Sequence, residues 1–187
     1  MTRNPSFARR LDAARCGDRR ACQWVWDTYA GPITGFLQAR GTPEVEEVVN
    51  EVFLAVFTGL DRFIGEEPMF RAWLYRVARN KRVDAFRRSA RHATTLSMTA
   101  DGVGGDVEDE AIAAMEDADL RALLVGLTPE QRDVLVLRFV ADLSIAQVAV
   151  ALDKAPLAIK ALQHRAIAQL RKKISADPHP RSTSPTM

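Results

Sequence analysis

Apolar residues recur at helical intervals along most of the chain, and no stretch shows the strict alternation of a half-buried strand. The pattern predicts an all-α protein. Cys22, Val25, Trp26, Tyr29, Ile33, Phe36 and Leu37 fall at i, i+3, i+4, i+7, i+11, i+14 and i+15. Asp18 is placed to cap this helix, and Gly31-Pro32 is expected to break or kink it. Thr42-Pro43-Glu44 supplies a capping hydroxyl, a proline for the first turn and a favourable negative charge, so a second helix is expected to start there. Its stripe is Val45, Val48, Val49, Val52, Phe53, Val56, Phe57 and Leu60. A turn from Asp61 to Pro68 leads to a third helix of about two dozen residues, with Phe70, Trp73, Leu74, Val77 and Ala78 inward.

The pattern then lapses. From Ala93 to Asp119 the chain turns to Ala, Thr, Ser, Gly and acid, with Gly102, Gly104 and Gly105 close together, and reads as a flexible linker. Order is expected to resume near Leu120, Leu123, Leu124 and Leu127. Thr128-Pro129-Glu130-Gln131 and Ser144-Ile145-Ala146-Gln147 are capping boxes. Ser144 to Leu152, a turn at Asp153-Lys154-Ala155, and a longer helix burying Ile159, Leu162, Ala166 and Leu170 have the spacing of a helix-turn-helix. The tail after Ser175, with three prolines, is expected to be disordered.

Composition narrows the class. The chain has 187 residues, 47% of them apolar, enough for one domain or two small ones. No run approaches a membrane span, and the arginine-rich start resembles no signal peptide. Two cysteines and three histidines offer neither a disulfide framework nor zinc spacing, which points to a reducing cytoplasm and no cofactor. Cys22 sits on a core stripe and reads as a small hydrophobe; Cys16 lies outside it, and a redox role there stays open.

The net charge of +2 conceals an uneven distribution. Residues 1–92 carry 16 Lys/Arg against 11 Asp/Glu, residues 93–119 carry 0 against 8, and residues 120–187 carry 10 against 5. Two basic blocks flanking an acidic segment suggest nucleic-acid contact at both ends. In the last helix, Leu157, Lys160, Ala161, His164, Arg165, Ala168, Arg171 and Lys172 fall on an outward, acid-free face suited to a major groove. In the third helix, Arg76, Asn80, Val83 and Arg87 form a row flanked by Arg79, Lys81, Arg82 and Arg88, with Phe70, Trp73 and Tyr75 nearby. Cations interleaved with aromatics suit a single strand, although Phe70 and Trp73 also share the core stripe.

These segments resemble a known family. Glu47-Val-Val-Asn-Glu-Val-Phe-Leu-Ala-Val-Phe57 through Asp61-Arg-Phe63, then Phe70-Arg-Ala-Trp-Leu-Tyr-Arg-Val-Ala-Arg-Asn80 and Asp84-Ala-Phe-Arg-Arg88, are similar to region 2 of bacterial sigma factors of the extracytoplasmic-function group. Leu127 to Arg138, Leu143-Ser-Ile-Ala-Gln-Val-Ala149 and Ile159-Lys-Ala-Leu-Gln-His-Arg-Ala166 are similar to region 4. The resemblance implies two small helical domains, a region 2 three-helix bundle over 5–92 and a region 4 helix-turn-helix over 120–175, with the linker over 93–119 and the tail over 176–187. It further implies core RNA polymerase as partner, through the clamp helices of the largest subunit and the flap of the second-largest. Promoter DNA and an anti-sigma factor complete the implied partners, with no membrane and no catalysis.

Carried over by position, Glu47, Asn50 and Glu51 match the core-docking surface. Phe63, Arg76, Asn80, Asp84, Arg87 and Arg88 fall in the elements that melt the −10 element and capture its strand. Leu157, Lys160, Ala161, His164, Arg165 and Arg171 lie in the −35 reading helix. Where the family often has Gly-Thr-Val-Lys-Ser-Arg, this chain has Leu157-Ala-Ile-Lys-Ala-Leu162, which leaves fewer direct base contacts and more weight on DNA shape. Asp153 replaces the usual turn glycine and can take a left-handed backbone.

An ordinary helix-turn-helix regulator would explain the C-terminal block, but neither the Trp/Arg-rich third helix nor the acidic segment. An enzyme lacks parts: there is no P-loop, HExxH or Gly-rich dinucleotide turn. The acidic segment has two readings, a polyanion lying in the polymerase transcript channel or a spacer whose length alone matters.

Overall fold

In the computed structural model, residues 5–96 and 126–176 are described, and among them every regular element is helical. Most of the linker and tail expectations, and the leucines at 120, 123 and 124, lie outside the described residues. The N-terminal half comprises α1 (Pro5–Arg15), α2 (Arg19–Ala39), α3 (Val45–Gly59), a 3-10 turn (Leu60–Arg62) and α4 (Glu67–Leu96). The C-terminal half comprises α5 (Pro129–Leu135), which runs into a π turn (Val136–Val140), then α6 (Ile145–Leu152) and α7 (Pro156–Ala176).

Asp18 caps α2 as expected, accepting from the Ala21 amide at 2.8 Å. The helix then continues through Gly31-Pro32 without the expected break. Both residues face solvent, where water can satisfy the carbonyl that Pro32 leaves without a donor, while Tyr29, Ile33 and Phe36 hold the buried side on either side of the proline. Thr42 also departs from expectation. Its hydroxyl donates to the Leu37 carbonyl at 2.7 Å and its amide reaches the same oxygen at 3.0 Å, so it closes the end of α2 and does not cap α3. α3 begins instead after a left-handed Glu44, with Glu46 and Glu47 facing its positive N-terminal end. The β-branched stripe of α3 is helical and buried at Val48, Val49, Val52 and Val56.

α4 is longer than anticipated and continues to Leu96, past the expected linker start at Ala93. Phe70, Leu74, Tyr75 and Ala78 face inward, with Trp73 and Val77 partly covered. In the other half both capping boxes form: Thr128 with Gln131, and Ser144 with Gln147. Asp153 takes the left-handed conformation anticipated for the turn (φ 55°, ψ 48°). Ile159, Leu162 and Ala166 bury the inner side of α7.

The two domains also pack on each other. α6 lies against α4, and Leu137, Leu143, Val148 and Leu152 share one apolar cluster with Leu74, Tyr75 and Ala78. Polar contacts line the same seam. Arg71 donates to the Ala141 carbonyl at 2.7 Å, and Gln147 donates to the Pro68 carbonyl at 3.0 Å.

Candidate nucleic-acid interface

α7 presents the simpler surface. Its sequence from Pro156 to Ala176 contains no acid, and its apolar seam is turned into the domain by Ile159 and Leu162. The opposite face is therefore open: Leu157, Lys160, Ala161, His164, Arg165 and Arg171 are all exposed, Leu157 to 78%, while Ala168, read as part of that face, is half-buried. The Asp153 turn and the Ser144 capping box fix the angle at which this face leaves the domain.

α4 is more divided. Arg76, Asn80, Asp84 and Arg87 come out on one exposed row, and Asp84 pairs with Arg87 at 3.7 Å. Val83, read as part of that row, is half-buried. Arg88 is turned toward α3, where its guanidinium meets Glu51 at 2.9 Å; Lys81 meets the same carboxylate at 3.7 Å. Arg82 is buried, with its guanidinium over the Phe86 ring at 5.6 Å.

Phe63 is only 8% exposed, stacked on Trp73 with centroids 5.3 Å apart and edge-on to Phe70 at 5.4 Å. Its position serves packing, and its neighbour Ile64, 93% exposed, is what the turn displays. Arg15 pins this turn from α1, donating to the Leu60 carbonyl at 3.0 Å and to the Phe63 carbonyl. Gly65 suits its tip, because the backbone there has a positive φ and a Cβ would stand 3.1 Å from both the Phe63 ring and Met69, which would have to give way. Beneath the turn is a cleft of about 340 Å³ lined by Phe7, Leu11, Arg15, Phe63, Ile64 and Glu66. Tyr29 donates to Glu67 at 3.2 Å, and burial together with that carboxylate raises the Tyr29 pKa well above the ordinary phenol value, so the hydroxyl stays a donor anchoring the first turn of α4.

On α3, Glu47 and Asn50 are exposed, whereas Glu51 is half-buried and held by Arg88 and Lys81. Leu54 completes that surface at 67% exposure. Sequence reasoning did not single it out, although a leucine off the apolar stripe was the available signal.

Comparison with known proteins identifies the family. The family model for sigma-70 region 2 matches residues 28–92, and that for sigma-70 region 4 matches residues 123–172. The chain is 35% identical to the ECF RNA polymerase sigma factor SigD of Mycobacterium tuberculosis, over 89% of this chain and 85% of that protein. It is 32% identical to the RNA polymerase sigma factor CnrH of Cupriavidus metallidurans, over 92% and 95%. The solved structure of CnrH in complex with the cytosolic domain of CnrY is similar with a TM-score of 0.67 and 27% identity, covering 90% of this chain and 96% of that one. The chain belongs to the sigma-70 family, in its extracytoplasmic-function group. As a sigma factor it binds core RNA polymerase and directs initiation of transcription at promoters. Among the described residues no helix is long and apolar enough to cross a membrane.

Proposed function

We propose that the N-terminal domain, over 5–92, carries core docking and −10 melting, and that the C-terminal domain, over 120–175, reads the −35 element. The supporting observation is that one chain exposes two different nucleic-acid surfaces. The acid-free α7 face fits a duplex groove, and the α4 row stands on a helix whose first turn walls an aromatic-floored cleft. On this reading Lys160, His164 and Arg165 meet base edges while Arg171 reaches phosphate. Arg76, Asn80 and Arg87 hold the displaced strand, and the cleft under Ile64 takes an unpaired base. Phe63 and Arg88 act by positioning the turn and α4, and Asp84 orients Arg87.

Glu47, Asn50 and Leu54 form the core-docking patch, with Glu51 bracing it from α4. The chain works in the cytoplasm, performs no catalysis of its own and needs no cofactor. An anti-sigma factor regulates it, as the likeness to CnrH, solved with the cytosolic domain of CnrY, suggests.

Permanganate footprinting with core polymerase tests the division of labour. Replacing both Arg76 and Asn80 with alanine is expected to abolish unpaired thymines at −10 while leaving core binding intact. Arg165→Ala is expected to weaken −35 protection alone. Normal melting by the double variant would remove the −10 assignment.

A further inference from the structure

The leading end of α7 differs in chemistry from the rest of its outward face. Ala155, Pro156, Leu157 and Ala158 are all exposed, Leu157 to 78%, and from Ala155 to Ile159 no side chain carries a hydrogen-bond donor or acceptor. Ala161, one turn after Leu157, is also exposed. The polar groups of the face begin only at Lys160 and continue through His164 and Arg165, whose Nε donates back to the Ala161 carbonyl at 3.3 Å. The pattern Gly-Thr-Val-Lys-Ser-Arg would place hydroxyls at 158 and 161, where this chain has methyl groups, and no side chain at 157, where it has leucine.

Ile159 and Leu162 form the seam that packs α7 on its domain, so the apolar leading end is not accounted for by folding. A single surface leucine is ordinary in itself. This one stands at the end of the helix that, in a helix-turn-helix, meets base edges. Its surround is basic: α7 contains no acid from Pro156 to Ala176, and Lys160 and Arg165 share its face. Such a surround complements the phosphate walls of a duplex groove.

We infer that Leu157, flanked by Ala158 and Ala161, is a specificity-determining residue that reads the 5-methyl groups of thymine in the −35 element. The inference rests on the −35 assignment made above. Thymine alone presents a methyl group in the major groove, whereas guanine, adenine and cytosine present acceptors or amino donors there. A leucine pressed on those polar edges displaces their water and returns no hydrogen bond, so one side chain both favours thymine and penalises the alternatives. Leu157 and Ala161 are about 6 Å apart along the helix, roughly the rise of two base pairs, so their reach is a short run of adjacent positions. Burying one methyl group is worth roughly fourfold in affinity.

The test uses the full chain with core polymerase on a promoter selected from a random-sequence library by run-off transcription. Each −35 thymine, on either strand, is replaced in turn by deoxyuridine, which keeps the base pair and removes only the methyl group. Competition binding is measured for wild type, Leu157→Ala and Lys160→Ala, with far-ultraviolet circular dichroism confirming helix content. Wild type is expected to lose roughly fourfold at one or two adjacent positions. Leu157→Ala is expected to bind the thymine promoter weaker by about the same factor and to lose less than about 1.5-fold on substitution, the signature of a shared contact. Lys160→Ala is expected to bind more weakly yet keep the wild-type ratio of thymine to deoxyuridine. A ratio near unity at every thymine in wild type, with −35 protection still lost in Arg165→Ala, would overturn methyl reading and leave the −35 assignment standing. Equal weakening of Leu157→Ala on thymine and deoxyuridine promoters would place Leu157 against protein and overturn it as well. Protection at −35 that neither Lys160→Ala nor Arg165→Ala weakens would overturn the −35 assignment itself, and the inference with it.

Discussion

The two reading helices differ in how much of their surface is already committed. α7 has one buried seam and one free face, and every basic residue proposed to act on DNA is exposed. α4 is gripped from several directions: Phe70 and Leu74 enter the core, Lys81 and Arg88 lean on Glu51 of α3, and Arg71, Arg79 and Arg82 cross to the other domain. Arg76, Asn80, Asp84 and Arg87 form an exposed row, and Arg76 already has an acidic neighbour across the seam. The contrast shows that a basic residue on a helix is evidence of a ligand only when its own side chain stands on an open face, as on α7 and on the Arg76, Asn80 and Arg87 row of α4. Where a helix packs on several sides, guanidiniums are also the residues best suited to bridging elements.

The largest expected effect separates packing from reading on α4. Phe70 is fully buried among Phe7, Tyr29, Phe63 and Trp73, so Phe70→Ala should cost about 3–5 kcal/mol of stability. Urea denaturation measures this, and a cost below about 1 kcal/mol would mean that α4 is not clamped as described. On α7 the expected outcome is the reverse. Arg165→Ala should leave stability unchanged and weaken −35 binding by about 1–3 kcal/mol, with Lys160→Ala lowering affinity across sequences and reducing its salt dependence. Band-shift titrations of the holoenzyme at several salt concentrations distinguish the two.

Smaller effects sharpen the comparison. Gly65→Ala forces the Phe63 ring or Met69 to give way at a turn with positive φ, and should reduce −10 opening while leaving −35 protection intact. Permanganate reactivity reports that outcome. Smallest of all, Glu51→Gln removes a partly exposed pairing with Arg88 and Lys81 and should cost less than about 1 kcal/mol. A thermal midpoint that falls by no more than a few degrees agrees with a bracing role; core affinity lost without loss of stability would make Glu51 a direct contact instead.

Much of this organisation was legible from spacing. The α3 stripe read as helical despite its valines, both capping boxes formed, and Asp153 adopted the left-handed backbone because a short polar side chain tolerates it. The α7 face was legible for the same reason that it is free: an amphipathic helix with one seam shows its outer side in the sequence. Three features were not. Gly31-Pro32 marks a break only if nothing holds the helix on either side, and tertiary packing did. Thr42 could serve either neighbouring helix, and the choice depended on where the chain turned. The burial of Arg40, Arg82 and Asp133 depends on the meeting of two domains far apart in sequence, which no local period encodes.

The central claim is that this one chain engages two promoter elements through two differently built surfaces, and only with core polymerase. It is tested most directly by footprinting on a promoter selected from a random-sequence library by run-off transcription. The account predicts that core plus the chain protects the −35 duplex and exposes unpaired thymines at −10, while the chain alone does neither in ~0.15 M salt. Equally strong duplex protection by the chain alone, with no unpaired thymines when core is added, would contradict it.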